Sequence, residues 1–511
     1  MGDRPHILLV VVDQLSALFL RSYGHKVTKT PTIDRLAEDG VVFENAYCPS
    51  PLCAPARAVL MTGALPSRTG VYDNSAEFPA WIPTFAHVLR LEGYRTCLAG
   101  KMHFVGPDQL HGFEERLTTD VYPGDFGWTP DWSRPDERVD WWYHNMSSVL
   151  EAGVAEITNQ LEYDDEVAFH AVRRLYDYAR FEHDAPLCLC VSFSHPHDPY
   201  VARRRYWELF LEDEIDPPTA PAKAYEELDP HERRLWRASA MDEVEITEED
   251  VRAARHGYYA SLAYVDERIG EVLDALEASG LVEDAVVIFV SDHGDLLGER
   301  GLFYKMSFRE HAAHVPLLVH APGRYAARRI REPVSLADLA PTLADFARPG
   351  LAEELPRAVD GRSLVPLLEG APEDPRATVL GEYLAEGVAA PMVMIRRGRW
   401  KFISTPSDPD QLFDLEEDPL ELRNLAQDAG SHDVVSDFRV DVASRWDLEA
   451  LDRAVRESQQ ARLAVFRALQ QGKVQPWDFQ PSRSAAAQYT RNTADVADRE
   501  RLARFPPFPS S

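Results

Sequence analysis

The sequence predicts an α/β protein: a large central mixed β-sheet sandwiched by helices, then a smaller C-terminal α+β subdomain and an extended tail. Three observations predict it. Short apolar runs of strand length alternate with longer amphipathic stretches over residues 1–375, the pattern of a mixed or parallel sheet covered on both faces. From residue 376 to 472 short strands crowd together and then give way to helix. Residues 473–511 are polar, proline-bearing and dotted with aromatics.

The elements follow in order. His6 to Val12 is a buried strand that ends in Asp13-Gln14. Pro31 to Glu38 reads as a short helix with proline in its first turn. Residues 54–63 and Thr84 to Glu92 are helical, and Tyr94 to Leu98 is a strand. A long amphipathic helix spans Gln160 to Arg180, before the strand Leu187 to Phe193. Residues 249–280 form another long helix, followed by strands at Ala285 to Val290 and Val315 to Val319. In the second unit, Met392 to Ile395 and Trp400 to Ser404 pair as a hairpin around Arg396-Arg397-Gly398-Arg399, Gln411 to Leu415 adds a strand, and 433–471 is helical. The tail carries Trp477, Phe479, Tyr489, Phe505 and Phe508, which suits docking on a surface, that of a neighbouring subunit included.

Bulk properties narrow the function. A chain of 511 residues with 45% hydrophobic residues suits two domains, or one large domain with appendages. No run approaches the ~18 apolar residues of a membrane span. The first apolar run ends in Asp13-Gln14 rather than in a small-residue cleavage site, so no export signal is read and a cytoplasmic protein is expected. The five cysteines are an odd number, which fits a reducing compartment rather than a disulfide framework. Cys188 and Cys190 alternate on one strand and face the same way. The net charge of −30 argues against nucleic acid as a partner.

Two acidic clusters sit at predicted strand ends: Asp13-Gln14, and Asp292-His293-Gly294-Asp295 after Val287 to Ser291. Ligands gather at the carboxyl ends of strands in open α/β sheets, and carboxylates suit a hard divalent cation. Basic groups follow other strands: Lys101 and His103 after Ala99-Gly100, His195 and His197 after Val191 to Phe193, and Lys305 in Gly301 to Lys305. Histidines are suited to proton transfer near neutral pH. The stretch from Trp128 to His144 is unusually aromatic, with Trp128, Trp132, Trp141, Trp142, Tyr143 and His144. Aromatic faces can cage a quaternary ammonium group, although such stripes also build cores.

The most specific string is Cys53-Ala54-Pro55-Ala56-Arg57, continued by Ala58-Val59-Leu60-Met61-Thr62-Gly63. It resembles the C-x-P-x-R signature of the type I sulfatases of the alkaline phosphatase superfamily. Ala56 departs from the serine common there. The resemblance implies an alkaline phosphatase-like fold, with Cys53 converted to formylglycine by a formylglycine-generating or equivalent maturation enzyme and its hydrate serving as nucleophile. It implies one divalent metal ion, Ca2+, Mg2+ or Mn2+, held by Asp13, Gln14, Cys53, Asp292 and His293. Gln14 and His293 stand where many members carry Asp and Asn, and match a subgroup with choline sulfatases and phosphonate monoester hydrolases. The resemblance further gives Arg57 the role of holding the formylglycine hydroxyl. Lys101, His103, His197 and Lys305 would bind the sulfate or protonate the leaving oxygen, with His197 favoured over His195 for direct contact.

Longer strings are similar to choline sulfatases: Val105 to Arg116, Phe126 to Pro130, Asp140 to Asn145, Glu151 to Gln160, and His195-Pro196-His197-Asp198-Pro199-Tyr200. That resemblance covers nearly the whole chain. It implies hydrolysis of choline O-sulfate, with Trp128, His144 and Asn145 lining a choline pocket, His195 nearby, and acidic residues near Glu386 offsetting the ammonium charge. It also implies a homo-oligomer, dimer or tetramer, in which Asp495 or Asp498 of a tail reaches a neighbouring site. The alternatives are a phosphonate or phosphate diester hydrolase, a broader arylsulfatase, and a catalytically silent binding protein.

Overall fold

The computed structural model describes residues 4–135, 137–139, 143–182, 184–482 and 495–505. The strands in chain order are β1 His6–Val12, β2 Val41–Tyr47, β3 Arg95–Gly100, β4 Glu115–Arg116, β5 Gly153–Val154, β6 Leu187–Ser192, β7 Val201–Ala202, β8 Ala285–Ser291, β9 His314–His320, β10 Arg328–Ile330, β11 Val334–Ser335, β12 Thr378–Tyr383, β13 Met392–Arg397, β14 Trp400–Thr405 and β15 Asp408–Asp414.

Nine of them form one sheet in the order β10-β2-β9-β8-β1-β6-β3-β4, with β11 also pairing β2. β1 runs parallel to both β6 and β8, and β3 parallel to β6. Only β9 is reversed, pairing antiparallel with β8 and with β2. The expected mixed sheet is therefore present. Two reversals cancel, so β2 points the same way as β1, β3, β6 and β8, and all five deliver their C-terminal ends to one edge.

Burial explains why these strands read as continuous apolar runs. In β1, Leu8, Val10 and Val12 enter one core while Ile7, Leu9 and Val11 enter the other. Side chains alternate across a strand, and a sheet covered on both faces needs apolar residues at every position. Cys188 and Cys190 share the second core, on one face as the alternation requires. The long helices Asn159–Phe181 and Glu248–Ala278 pack on the first face, and Cys53–Thr62, Phe85–Leu91 and Leu339–Ala347 on the second.

The C-terminal unit is an antiparallel sheet, β12-β13-β14-β15, whose core is covered by His432–Arg445. The stretch read as one helix over 433–471 is two, His432–Arg445 and Leu448–Leu469, because Trp446 is extended and the Asp447 side chain caps the second at Ala450 N. Strand β2, which the sequence pattern does not predict, lies between β9 and the short edge strands β10 and β11; its Glu44-Asn45 interruption blunts the apolar run. The described part of the tail lies on its own chain: Trp477 meets Phe126, Phe479 lies under Arg116, and Phe505 meets Tyr176. Tyr489 and Phe508 lie outside the described residues. Among the described residues no helix is long and apolar enough to cross a membrane.

Candidate active site

Five strand ends converge on one buried cluster. After β1 the chain turns at Gln14, which has a positive φ of 65°, and the Gln14 amide donates to Asp292 Oδ1 at 3.1 Å. Asp13 is thereby held against the end of β8. After β3, Gly100 has φ +113°, and a Cβ there would fall 1.9 Å from Ser192 O. Only glycine permits that approach, which lets Lys101 N donate to Ser192 O at 3.0 Å and turns the Lys101 side chain into the cluster. Beyond β2, the helix Cys53–Thr62 begins at Cys53 itself, with all ten residues buried.

The ligand atoms of Asp13, Cys53, Asp292 and His293 lie within 4.8 Å of one another. Cys53 Sγ is 3.2 Å from His293 Nε2 and 3.7 Å from Lys101 Nζ. Arg57, one helical turn on, donates through Nε to Asp292 Oδ2 (2.8 Å), through a terminal nitrogen to Asp13 Oδ2 (3.3 Å), and to Ser192 Oγ (2.8 Å). Lys101 Nζ also pairs with Asp13. Two carboxylates, an imidazole nitrogen and a sulfur in one buried pocket form a donor set that fits a divalent cation. Gln14 is close, but its amide is engaged otherwise: Oε1 accepts from Lys305 Nζ (2.5 Å), and Nε2 donates to Asp295 (2.7 Å) and Asp198 (3.3 Å).

The electrostatics favour anions. Burial opposes ionisation of Cys53, yet Lys101, Lys305 and His293 hold its pKa well below the thiol range. Burial and the neighbouring Cys53 push Asp13 up, but Lys101, His197 and Arg57 outweigh them and bring it to about 2. Burial lowers His293, and Asp292 and Cys53 more than compensate and raise it.

A second group faces the first. Lys305 Nζ lies 2.8 Å from His197 Nε2. His197 Nδ1 lies 2.7 Å from the carbonyl oxygen of Asp198, so Nδ1 carries the proton and Nε2 accepts from the ammonium. His144 stacks on Tyr304 at 4.3 Å between ring centroids, and its Nδ1 is 3.7 Å from Asp198 Oδ2. His103 is fixed through its backbone N–H to Asp120 Oδ2 (2.9 Å), and its buried ring nitrogens have no hydrogen-bond partner among the described residues. Its ring lies edge-on to Trp128 at 5.7 Å. Tyr122 closes the space between them, under Lys101 Nζ at 4.5 Å and beside His197.

The remaining expected residues separate. Glu386 is buried with Oε2 unpartnered, and burial and the charge of Asp73 raise its pKa to about 7. His195 lies behind the cluster, with Nδ1 2.6 Å from Asp164 Oδ2. Asn145 is exposed and its Oδ1 accepts from Ser147 N at 2.8 Å, so its side chain serves a local turn. Trp132 belongs to the core, its Nε1 donating to Ala385 O. Trp141 and Trp142 lie outside the described residues. The supporting acids Asp120, Asp164 and Asp198 carry no predicted role, and Asp295, predicted as part of an acidic cluster, is found accepting from Gln14 Nε2. Asp198 and Asp295 stand inside strings already noticed, whereas Asp120 and Asp164 carry no local signal.

A family model described as sulfatase matches residues 5–349. The chain belongs to the sulfatase family. Two further models match its second half: N-sulphoglucosamine sulphohydrolase, C-terminal, over 298–445, and choline sulfatase enzyme C terminal, over 453–505. The chain is 50% identical over 509 residues to a choline-sulfatase of Rhizobium meliloti (strain 1021), covering 98% of this chain and 99% of the relative. It is 31% identical to arylsulfatase K of Gallus gallus, over 83% of this chain and 79% of that one. Among solved structures, phosphonate monoester hydrolase of Agrobacterium radiobacter matches with a TM-score of 0.69 and 28% identity, covering 88% and 96% of the two chains. The sulfatase fold is thus the alkaline phosphatase-like one expected, and the enzyme is a sulfuric ester hydrolase.

Proposed function

We propose that this sulfatase hydrolyses choline O-sulfate to choline and sulfate. The observation that carries the reading is the buried Asp13–Cys53–Asp292–His293 cluster, ringed by Lys101, Lys305 and Arg57 and opening toward Trp128 and the uncharged-to-acidic Glu386. Full-length similarity to the Rhizobium choline-sulfatase supports it.

Asp13, Asp292, His293 and residue 53 would hold the divalent ion, with Gln14 beside them, and the bound ion supplies neutralising charge for the sulfate oxygens. Ca2+, Mg2+ and Mn2+ all suit the set, and the single nitrogen ligand gives Mn2+ some ground. Cys53, as formylglycine, supplies the nucleophilic oxygen. Arg57 orients this oxygen through the short helix and fixes both carboxylates. Lys101 and Lys305 bind the sulfate. His103 and His197 face the ester oxygen, and the Lys305–His197 contact provides a proton for the departing alkoxide. Trp128 and His144 present ring faces to the trimethylammonium group, and Glu386 supplies the countercharge.

We extend the reading to a cytoplasmic location, supported by five unpaired cysteines, and to a homo-oligomer, as the choline-sulfatase resemblance implies. The deciding experiment compares kcat/KM for choline O-sulfate, p-nitrophenyl sulfate and a phosphate diester, on protein matured by a formylglycine-generating enzyme, with the Cys53→Ala protein as blank. A strong preference for choline O-sulfate supports the reading. A preference for the diester replaces it with the phosphonate-hydrolase reading that the Agrobacterium relative suggests.

A further inference from the structure

The helix Leu448–Leu469 lies beyond the nine-stranded sheet, yet one of its faces grips the segment that carries Trp128. Val455, Gln459, Arg462 and Phe466 recur at helical spacing on that face. Arg462 is buried and donates both terminal nitrogens to Asp73, at 2.7 Å each, and one of them also to Thr129 Oγ1 at 3.1 Å. Thr129 Oγ1 in turn contacts Ser75 Oγ and Phe126 O, both at 2.8 Å. The short turn Phe126–Trp128 is thus closed onto the residue that Arg462 holds. Gln459 Oε1 accepts from Trp132 N at 2.9 Å. Arg456 donates to Trp132 O (2.6 Å) and to Ala389 O (2.8 Å), close to Glu386 in the chain. Phe466 lies so close to Gly127 that a Cβ there would meet its ring at 2.9 Å.

A bidentate guanidinium–carboxylate pair fixes both distance and orientation, and here it is buried. Among the described residues the helix makes no hydrogen bond or ion pair with the Cys53 cluster, and its link to it is indirect: Asn74, next to Asp73, accepts from Ala54 N at 2.9 Å. What it determines is the placement of the aromatic wall, on the side of the site where the alcohol part of the ester lies.

We infer that Arg462 is a positioning residue for ester selectivity: the C-terminal helix sets the Trp128 wall, and with it the fit of a cationic alcohol, more directly than it sets the sulfate end. The inference rests on the choline O-sulfate reading above. The test is steady-state kinetics of Arg462→Met, Arg462→Lys and Gln459→Leu on choline O-sulfate and p-nitrophenyl sulfate, with melting temperature measured alongside. Arg462→Met raises KM for choline O-sulfate by about threefold to thirtyfold, the scale of a weakened cation–π contact, with kcat and the aryl ester changed less. Arg462→Lys, which keeps the charge but not the fork, recovers part of the loss. Gln459→Leu gives a smaller shift in the same direction, and carries the test if Arg462→Met does not fold. Equal losses on both esters, in step with the melting temperature, reduce Arg462 to a structural residue and overturn the inference. A wild-type enzyme with no preference for choline O-sulfate removes the reading beneath it, and the inference with it. A wild-type preference that Arg462→Lys and Gln459→Leu leave intact overturns the inference alone.

Discussion

Arg57 Nε and Asp292 Oδ2 lie 2.8 Å apart although 235 residues separate them in the chain, and the same guanidinium reaches Asp13. One side chain therefore ties the Cys53 helix to the ends of β1 and β8. In the metal-free protein, removing it leaves two buried carboxylates with Lys101 as the nearest cation. Arg57→Ala should lower stability by about 3–5 kcal/mol, the cost of breaking a buried pair from one side, read from urea unfolding midpoints. Arg57→Lys should recover part of that while losing the bridge between Asp292 and Asp13.

Metal removal has a separate signature. Dialysis against a chelator should abolish turnover and lower the melting temperature, because an ion that binds only the native state stabilises it by mass action. Reloading should restore both at one ion per chain, measured by elemental analysis. Unchanged melting and activity after verified metal loss would break the proposed role of the Asp13–Asp292–His293 set.

Trp128 is half-buried and makes a T-shaped contact with His103. Replacing it with alanine should cost choline O-sulfate a large part of its kcat/KM, on the order of 0.5–2 kcal/mol for each ring face lost, and p-nitrophenyl sulfate little. Parallel competition with free choline as inhibitor checks the same point without turnover.

Glu386 makes the enzyme sensitive to pH in a predictable direction. Burial raises its pKa from 4.5 to about 7, so between those values the folded protein holds a proton the unfolded chain has released. Stability from this group is full below the lower value and is lost as pH rises through the upper one. A cationic substrate reverses the preference, since it favours the carboxylate and its binding releases the proton. KM for choline O-sulfate should therefore fall as pH rises toward about 7 and then level. Glu386→Gln should flatten that profile, and the aryl ester should show none of it.

The strands that build the site were legible because they are buried on both faces, and β1, β6, β8 and β9 carry polar residues only at their ends, where they do not blur the pattern. β2 was not, since Glu44 and Asn45 sit at half-buried positions at a register shift. Asp13, Cys53, Arg57, Lys101 and Asp292 could be read because each follows a strand or opens a helix within a few residues. Asp73, Asp164 and Arg462 could not. Their roles arise from contacts such as Asp73–Arg462 across 389 residues, and no local spacing records such a pairing. Asn145 stands in a telling string, and its Oδ1 accepts from Ser147 N within its own turn.

The burial of the helix Cys53–Thr62 also sets an order of events. Cys53 is 2% exposed, and the His293 that closes over it follows 240 residues later. During synthesis the cysteine leaves the ribosome well before its lid exists, and once β8 adds to the sheet no catalyst the size of a protein can reach it. On the formylglycine reading, conversion of Cys53 is therefore a race against the sheet's own completion, and the active fraction of the enzyme records how often the race is won.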